Sequence, residues 1–296
     1  MPRKSTKNIL VDEIEDKRGQ PKKFKGNPAD IINFYEIIPK KYITETVNNN
    51  ESLHGIKMPF RMCIAAPSGS GKTNFLMNLL KVFGHGKGSF ADVYIITSDK
   101  DEDLYNYLEG EFDGIIIKEG MHNTPKLEDM DKKYNTLVIW DDLVLDKNKE
   151  VYRKYFMKAR KKNCCVIFIS QSYVDIDKFC RKNSNYLVLF DLGGSKSEED
   201  RILREWGAPL DKDELRAVYG DATKEHMKPL IIQGGKCKDM NKKFSKGFNE
   251  YYNLDTFLKD IPRTKPKKVF IGDKQVKSKP AKSKVEYDST SDADSD

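Results

Sequence analysis

Residues 61–80, RMCIAAPSGSGKTNFLMNLL, constrain this chain more than any other stretch. A short apolar run ends at Ala66. Pro67-Ser68-Gly69-Ser70-Gly71 is small and flexible, and from Lys72 onward Phe75, Leu76, Leu79 and Leu80 recur at helical spacing. Ala66 to Thr73 therefore has the shape of a phosphate-binding loop, with Ala in place of the usual first Gly. Small residues let several backbone N–H groups approach the oxygens of a triphosphate, and a helix N-terminus adds partial positive charge. Pro67, Ser68, Gly69, Ser70 and Gly71 would form the cradle. Lys72 would reach the β- and γ-phosphates, and the Thr73 hydroxyl would ligate Mg²⁺. A plain Gly-Ser turn between strand and helix is the alternative, and the strand-before, helix-after context disfavours it.

The second informative stretch is Thr136 to Asp142, TLVIWDD. A buried strand delivers two carboxylates at its C-terminal end, the Walker B arrangement. Asp141 would hold the Mg²⁺ shell, and Asp142 would stand beside the attacking water. Asp at the second position is one methylene shorter than the Glu often found there. A strand ending in a polar turn or a helix cap is the alternative. Cys164 to Ser170, CCVIFIS, reads as another buried strand, and Gln171 follows it directly. An amide at that tip can sense the γ-phosphate or orient water.

Further apolar, β-branched runs at 92–97, 114–118, 186–190 and 229–233 alternate with helical patterns, including 150–162, 175–181, 197–206 and 211–219. Ser197 and Asp200 suggest a capping box at the third of these. Such alternation predicts an α/β domain with a largely parallel sheet and the ligand at the carboxyl ends of the strands.

Composition sets the frame around this domain. The chain has 296 residues, 38% hydrophobic and 33% charged, with formal net charge +7, which favours a polyanionic partner. No run of 18 apolar residues exists, so no membrane span is expected, and no apolar signal segment opens the sequence. The five cysteines (63, 164, 165, 180, 237) show no C-x-x-C, which argues for a reducing compartment and against zinc. The expected division is a basic N-terminal arm and edge segment at 1–54, the nucleotide-binding domain at 55–235, a basic and aromatic segment at 236–261, and a tail at 262–296. The tail turns from basic to acidic, and both charged termini are expected to be disordered. The basic arm suits either nucleic-acid contact or a solvated tail. The aromatics of 236–261 suit either single-strand binding or packing on the core.

Taken together, APSGSGKT, LVIWDD and CVIFISQSY, followed by R-K-N-S-N before a strand, resemble the DNA-packaging ATPases of nucleo-cytoplasmic large DNA viruses, virophages and related elements, including the poxvirus type. Those belong to the FtsK–HerA division of P-loop motors, with a RecA/ASCE-type P-loop NTPase fold of helices flanking a mostly parallel central sheet. The resemblance covers about residues 55–235. It implies an ATPase, with ATP and Mg²⁺ as cofactors, that forms a homo-oligomeric ring and drives double-stranded DNA into a preformed capsid. A capsid or portal-like vertex protein would be its partner, in the host cytoplasm (the viral factory) or associated with the virion. Lys72 and Thr73 match the P-loop pair, Asp141 and Asp142 match Walker B, and Gln171 matches the polar residue after the fourth-motif strand. Arg160 lies where relatives often carry an Arg-His pair, here with Lys161 in place of His. Arg181 matches an Arg-x-Asn pattern. Either arginine could act in trans on a neighbour's γ-phosphate, and Arg181 is the preferred one.

Two rivals stand beside this expectation. A helicase-type ATPase would share the strand-tip residues, but no DExD/H box and no second RecA-like domain is evident. A nucleotide-dependent scaffold that does not hydrolyse ATP would keep the loop without needing the carboxylate pair. A GTPase is disfavoured because no N-K-x-D motif is present.

Overall fold

A computed structural model of the chain describes residues 42–261, except 236 and 238, together with 31 and 33. The N-terminal arm, most of the apolar patch at 31–38 and the tail from 262 lie outside the described residues.

The apolar runs become strands, and the central ones, Thr136–Asp141, Cys164–Ser170 and Tyr186–Leu189, are buried on both faces. Among the described residues, β1 (Arg61–Ala65), β2 (Asp92–Thr97), β3 (Ile115–Glu119), β4 (Thr136–Asp141), β5 (Cys164–Ser170), β6 (Tyr186–Leu189), β7 (Leu230–Gln233), β8 (Phe244–Lys246) and β9 (Glu250–Tyr251) form one sheet. Its order is β3-β2-β4-β5-β1-β6-β7-β8-β9. The first six are parallel, and the last three add on antiparallel. β5 lies between β1 and β4, so the strand that leads into Gln171 stands between the P-loop strand and the Asp141 strand.

Alternate residues feed two cores. Leu137, Ile139, Cys165, Ile167 and Ile169 face Phe75, Leu76 and Leu79 of α2 (Lys72–Phe83) and Tyr105 and Leu108 of α3 (Asp103–Glu111), preceded in the chain by the short α1 (Glu51–His54). Val138, Trp140, Cys164, Val166 and Phe168 face the other way. There they meet Tyr152, Tyr155 and Phe156 of α4 (Glu150–Lys158), Cys180 of α5 (Lys178–Asn183), Ile202 of α6 (Lys196–Ile202) and Val218 of α7 (Lys212–Thr223). Continuous apolar runs with both faces covered are what a parallel sheet requires. This is the α/β P-loop NTPase fold that the sequence predicts.

Several local details differ from expectation. The helix expected over 197–206 begins at Lys196 without a side-chain cap and passes at Leu203–Gly207 into a π-helical turn. The capping box sits one helix later, where Asp211 and Glu214 cap α7 reciprocally. The expected helix at 150–162 ends at Lys158 and continues as a 3₁₀ turn, Ala159–Lys162. The sheet also runs on past residue 235. Phe244 of β8 is fully buried and Tyr252 nearly so, and Leu254 of α8 (Leu254–Phe257) joins the same core. For these aromatics the packing reading holds.

Candidate active site

The tips of four parallel strands are laced together at their carboxyl ends. The Ala66 N–H donates to the Ser170 carbonyl at 2.9 Å, Asp142 N–H to Ile169 at 3.3 Å and Ser98 N–H to Asp141 at 3.3 Å. This fixes where each strand stops and what it presents.

The P-loop turns between β1 and α2. Gly69 and Gly71 hold φ of +74° and +93°, a region open to glycine but strained for other residues. Space above Gly69 is open, whereas a Cβ on Gly71 would fall 2.5 Å from Met227 Cγ. The Ser70 hydroxyl is buried with no protein partner, an orphaned polar group inside the cradle. Small residues, two left-handed glycines and a helix N-terminus thus converge where anionic oxygens would bind.

The residues expected to work together are together. Lys72 Nζ lies 3.0 Å from Asp141 Oδ1. Asp141 is buried at 2% exposure, and its other oxygen, Oδ2, accepts a 2.7 Å hydrogen bond from the Tyr105 hydroxyl of α3. Both carboxylate oxygens are therefore engaged. Burial, with Asp141 beside it, pushes the Tyr105 phenol far above its ordinary range, so it remains a donor. Asp142 is placed differently. Its φ is +56°, and its Oδ2 accepts a 2.6 Å bond from Gln171 Nε2 at the neighbouring strand tip. That bond brings Gln171 and the outer carboxylate into one unit.

The loop that carries Gln171 is held from behind by two carboxylates. Glu198 Oε1 accepts from the Ser172 hydroxyl at 2.6 Å and from the Val174 N–H at 3.1 Å. Glu205 Oε2 accepts from the Tyr173 hydroxyl at 2.7 Å. Partial burial raises the Glu205 carboxyl, but the bonds from Tyr173 and Arg181 outweigh that and hold it below its usual range.

Arg181 belongs to this rear network. It is 5% exposed, its Nε donates to Glu205 at 3.0 Å, Nη1 donates to the Ile176 carbonyl, and its guanidinium lies 5.0 Å from the Tyr173 ring centre. In this arrangement the guanidinium faces inward, whereas the expected action in trans requires it to face a neighbouring subunit. Arg160 is exposed, but it precedes β5, at the opposite end of the sheet from Gln171. Seven strand residues separate the two ends, about 20 Å. The structure therefore groups Lys72, Thr73, Asp141, Asp142 and Gln171 with the loop 67–71, and neither arginine joins them within the subunit.

Tyr105, Glu198 and Glu205 escape the sequence reading. Tyr105 shares helical spacing with Leu108 and reads as core. Glu198 and Glu205 read as solvated helix positions. Their partners lie 24 to 36 residues away, which no local pattern reports.

The solved structures similar to this chain include the genome packaging NTPase B204 from Sulfolobus turreted icosahedral virus 2. Its complex with AMP is 14% identical, with a TM-score of 0.45, over 65% of this chain and 98% of that one. Its complex with AMPPCP is 14% identical with a TM-score of 0.47 over the same shares. EssC (ATPases 2 and 3) from Geobacillus thermodenitrificans is 13% identical with a TM-score of 0.42, over 65% of this chain and 39% of that one. No curated protein matches the chain by sequence. The sequence profile of the Poxvirus A32 protein family matches residues 49–235, more than half of the chain and every residue of the site above, and the chain belongs to that family.

Proposed function

We propose that this chain is an ATP-hydrolysing motor subunit that packages double-stranded viral DNA. The observation that carries the reading is the pairing around the strand tips: Lys72 at the start of α2 with Asp141 at 3.0 Å, and Gln171 with Asp142 at 2.6 Å across adjacent tips.

Mg²⁺ fits the donors present. Asp141 and the Thr73 hydroxyl are hard oxygen ligands, and the orphaned Ser70 hydroxyl leaves polar capacity in the cradle. Among the described residues no group of three or more His, Cys, Asp or Glu could cage a metal. That agrees with Mg²⁺, which is held through one or two carboxylates plus substrate phosphates. Bound there, Mg²⁺ would neutralise charge on the phosphates. The backbone of 67–71 cradles the anhydride, and Lys72 moves from Asp141 onto the β- and γ-phosphates. Asp142 and Gln171 orient the attacking water, and the Asp142 carboxylate accepts its proton. Removing charge stabilisation or the base from such a site lowers turnover by about 10² to 10⁴. A cation supplied by a neighbouring subunit would complete the site. Ring assembly and a capsid-vertex partner belong to the same proposal. DNA contact would be through phosphates, independent of sequence.

The test is phosphate release from ATP, with and without linear duplex DNA, for the native chain, Lys72→Ala and Asp142→Asn. Expected is DNA-stimulated turnover that falls at least a hundredfold in both variants. Turnover indifferent to DNA at low salt overturns the motor reading. Tight ATP binding without turnover replaces it with a scaffold.

A further inference from the structure

A P-loop grips phosphates alone and would hold tripolyphosphate as well as ATP unless some other surface met the nucleoside. Asp141, Asp142 and Gln171 close the loop on the side of β4 and β5. On the reading above, the terminal phosphate lies there and the nucleoside leaves toward the other side, over β6. That side contains a cleft of about 470 Å³, walled by the P-loop at Pro67–Ser70, by the exit of β6 at Phe190–Gly193, and by the turn 223–228 that joins α7 to β7.

The turn is fastened to the P-loop. Asn74 Nδ2 donates to Met227 Sδ at 3.4 Å, and Met227 Cγ occupies the space that a side chain at Gly71 would need. Met227 holds φ of +65°, which an unbranched apolar residue seldom adopts, and it remains 44% exposed at the cleft. The turn is also braced from the antiparallel side of the sheet, because Glu225, which pairs within the turn with Lys228 at 2.7 Å, reaches Lys246 of β8 at 2.6 Å. A flexible thioether is thus held over the helix N-terminus, in a strained backbone, at the mouth of a cleft of nucleotide size.

We propose that the turn 224–228 is the nucleoside clamp of this site, with the Met227 thioether packed on the purine ring. This rests on the triphosphate reading of the P-loop. It also gives the antiparallel strands a role, since β8 carries the lysine that braces the clamp.

The experiment measures binding of Mg-ATP and of inorganic tripolyphosphate with Mg²⁺, by calorimetry on the full chain. The variants are Met227→Asn, Met227→Leu and Lys72→Ala. Asn keeps the left-handed backbone while removing the thioether, and Leu keeps an apolar contact. Expected is a five- to tenfold weaker ATP affinity for Met227→Asn, about the worth of one sulfur–aromatic contact with its buried area, tripolyphosphate unchanged, and Met227→Leu within about twofold of native. Unchanged ATP affinity in Met227→Asn, or an equal loss for both ligands, overturns the clamp. If that happens while Lys72→Ala still abolishes binding of both ligands, the triphosphate reading survives without the clamp. If Lys72→Ala binds both normally, the triphosphate reading falls and the clamp with it.

Discussion

The two ends of the parallel sheet are built on opposite principles. At the carboxyl end the strands stop in or just before Asp141, Asp142 and Gln171, where a buried carboxylate is overlaid by two polar groups nearer the surface. At the amino end an aromatic cluster closes the core. Phe60 stacks on Phe83 at 5.7 Å and meets Phe90 and Tyr186 edge-on at 6.4 Å, and His54 meets Phe83 edge-on at 4.7 Å. Asparagines stand directly before three of the strands and tie the loops there. Asn135 donates to the carbonyls of Val47 and Ser89, Asn163 to those of Glu45 and Lys132, and Asn185 Oδ1 accepts from the Arg61 N–H. One end is a fastened base, and the other carries the chemistry. Changes at the base should alter stability, and changes at the tips should alter turnover.

The largest effect is expected from Phe60→Ala. Phe60 is fully buried among three rings, so its truncation should lower unfolding free energy by about 3–5 kcal/mol in denaturant titration while the folded fraction binds nucleotide normally. A changed nucleotide affinity would break the division. Next comes acid. The Ile56 N–H donates to His54 Nδ1 at 3.0 Å, so the buried ring is neutral, and burial pushes its pKa down to about 4. A histidine depressed in the folded state contributes stability above its unfolded value near 6.5 and loses it as pH falls toward 4. Stability should drop by up to about 3 kcal/mol across that window, and His54→Leu should flatten the profile. The smallest and most local effect belongs to the tips. Tyr105→Phe should raise the Mg²⁺ concentration needed for half-maximal turnover by about tenfold, and its stability cost should stay at about 1–3 kcal/mol, the cost of a buried carboxylate oxygen that loses its donor. A stability loss with an unchanged Mg²⁺ dependence would make Tyr105 part of the core only.

The same division explains what the sequence reveals. The tips are legible because a P-loop and a strand ending in two carboxylates are contiguous motifs. The parallel strands are legible because burial on both faces leaves unbroken apolar runs such as CCVIFIS. The supporting groups are not. Tyr105 reaches Asp141 across 36 residues, and Arg181 reaches Glu205 across 24. Each looks locally like an ordinary helical residue, and Arg181 fits an interfacial pattern as readily as an inward one. The capping signal at Ser197 misleads because Ser195 takes the helix start and the next helix carries the reciprocal cap. β8 and β9 are three and two residues long, too short for any periodicity to register.

The left-handed backbone at Asp142 bears on how this site can be studied. Asp and Asn tolerate that conformation through their short polar side chains, whereas longer residues are disfavoured there. This is a physical reason for Asp where a longer carboxylate is common elsewhere. It also ranks the choices for a trapping mutant. Asn would preserve the turn, the reach and a partner for Gln171 while removing the negative charge. Glu would shift the carboxylate outward and strain the chain, and Ala would release the loop it was meant to freeze. Structural capture of an intact nucleotide should therefore begin from Asp142→Asn.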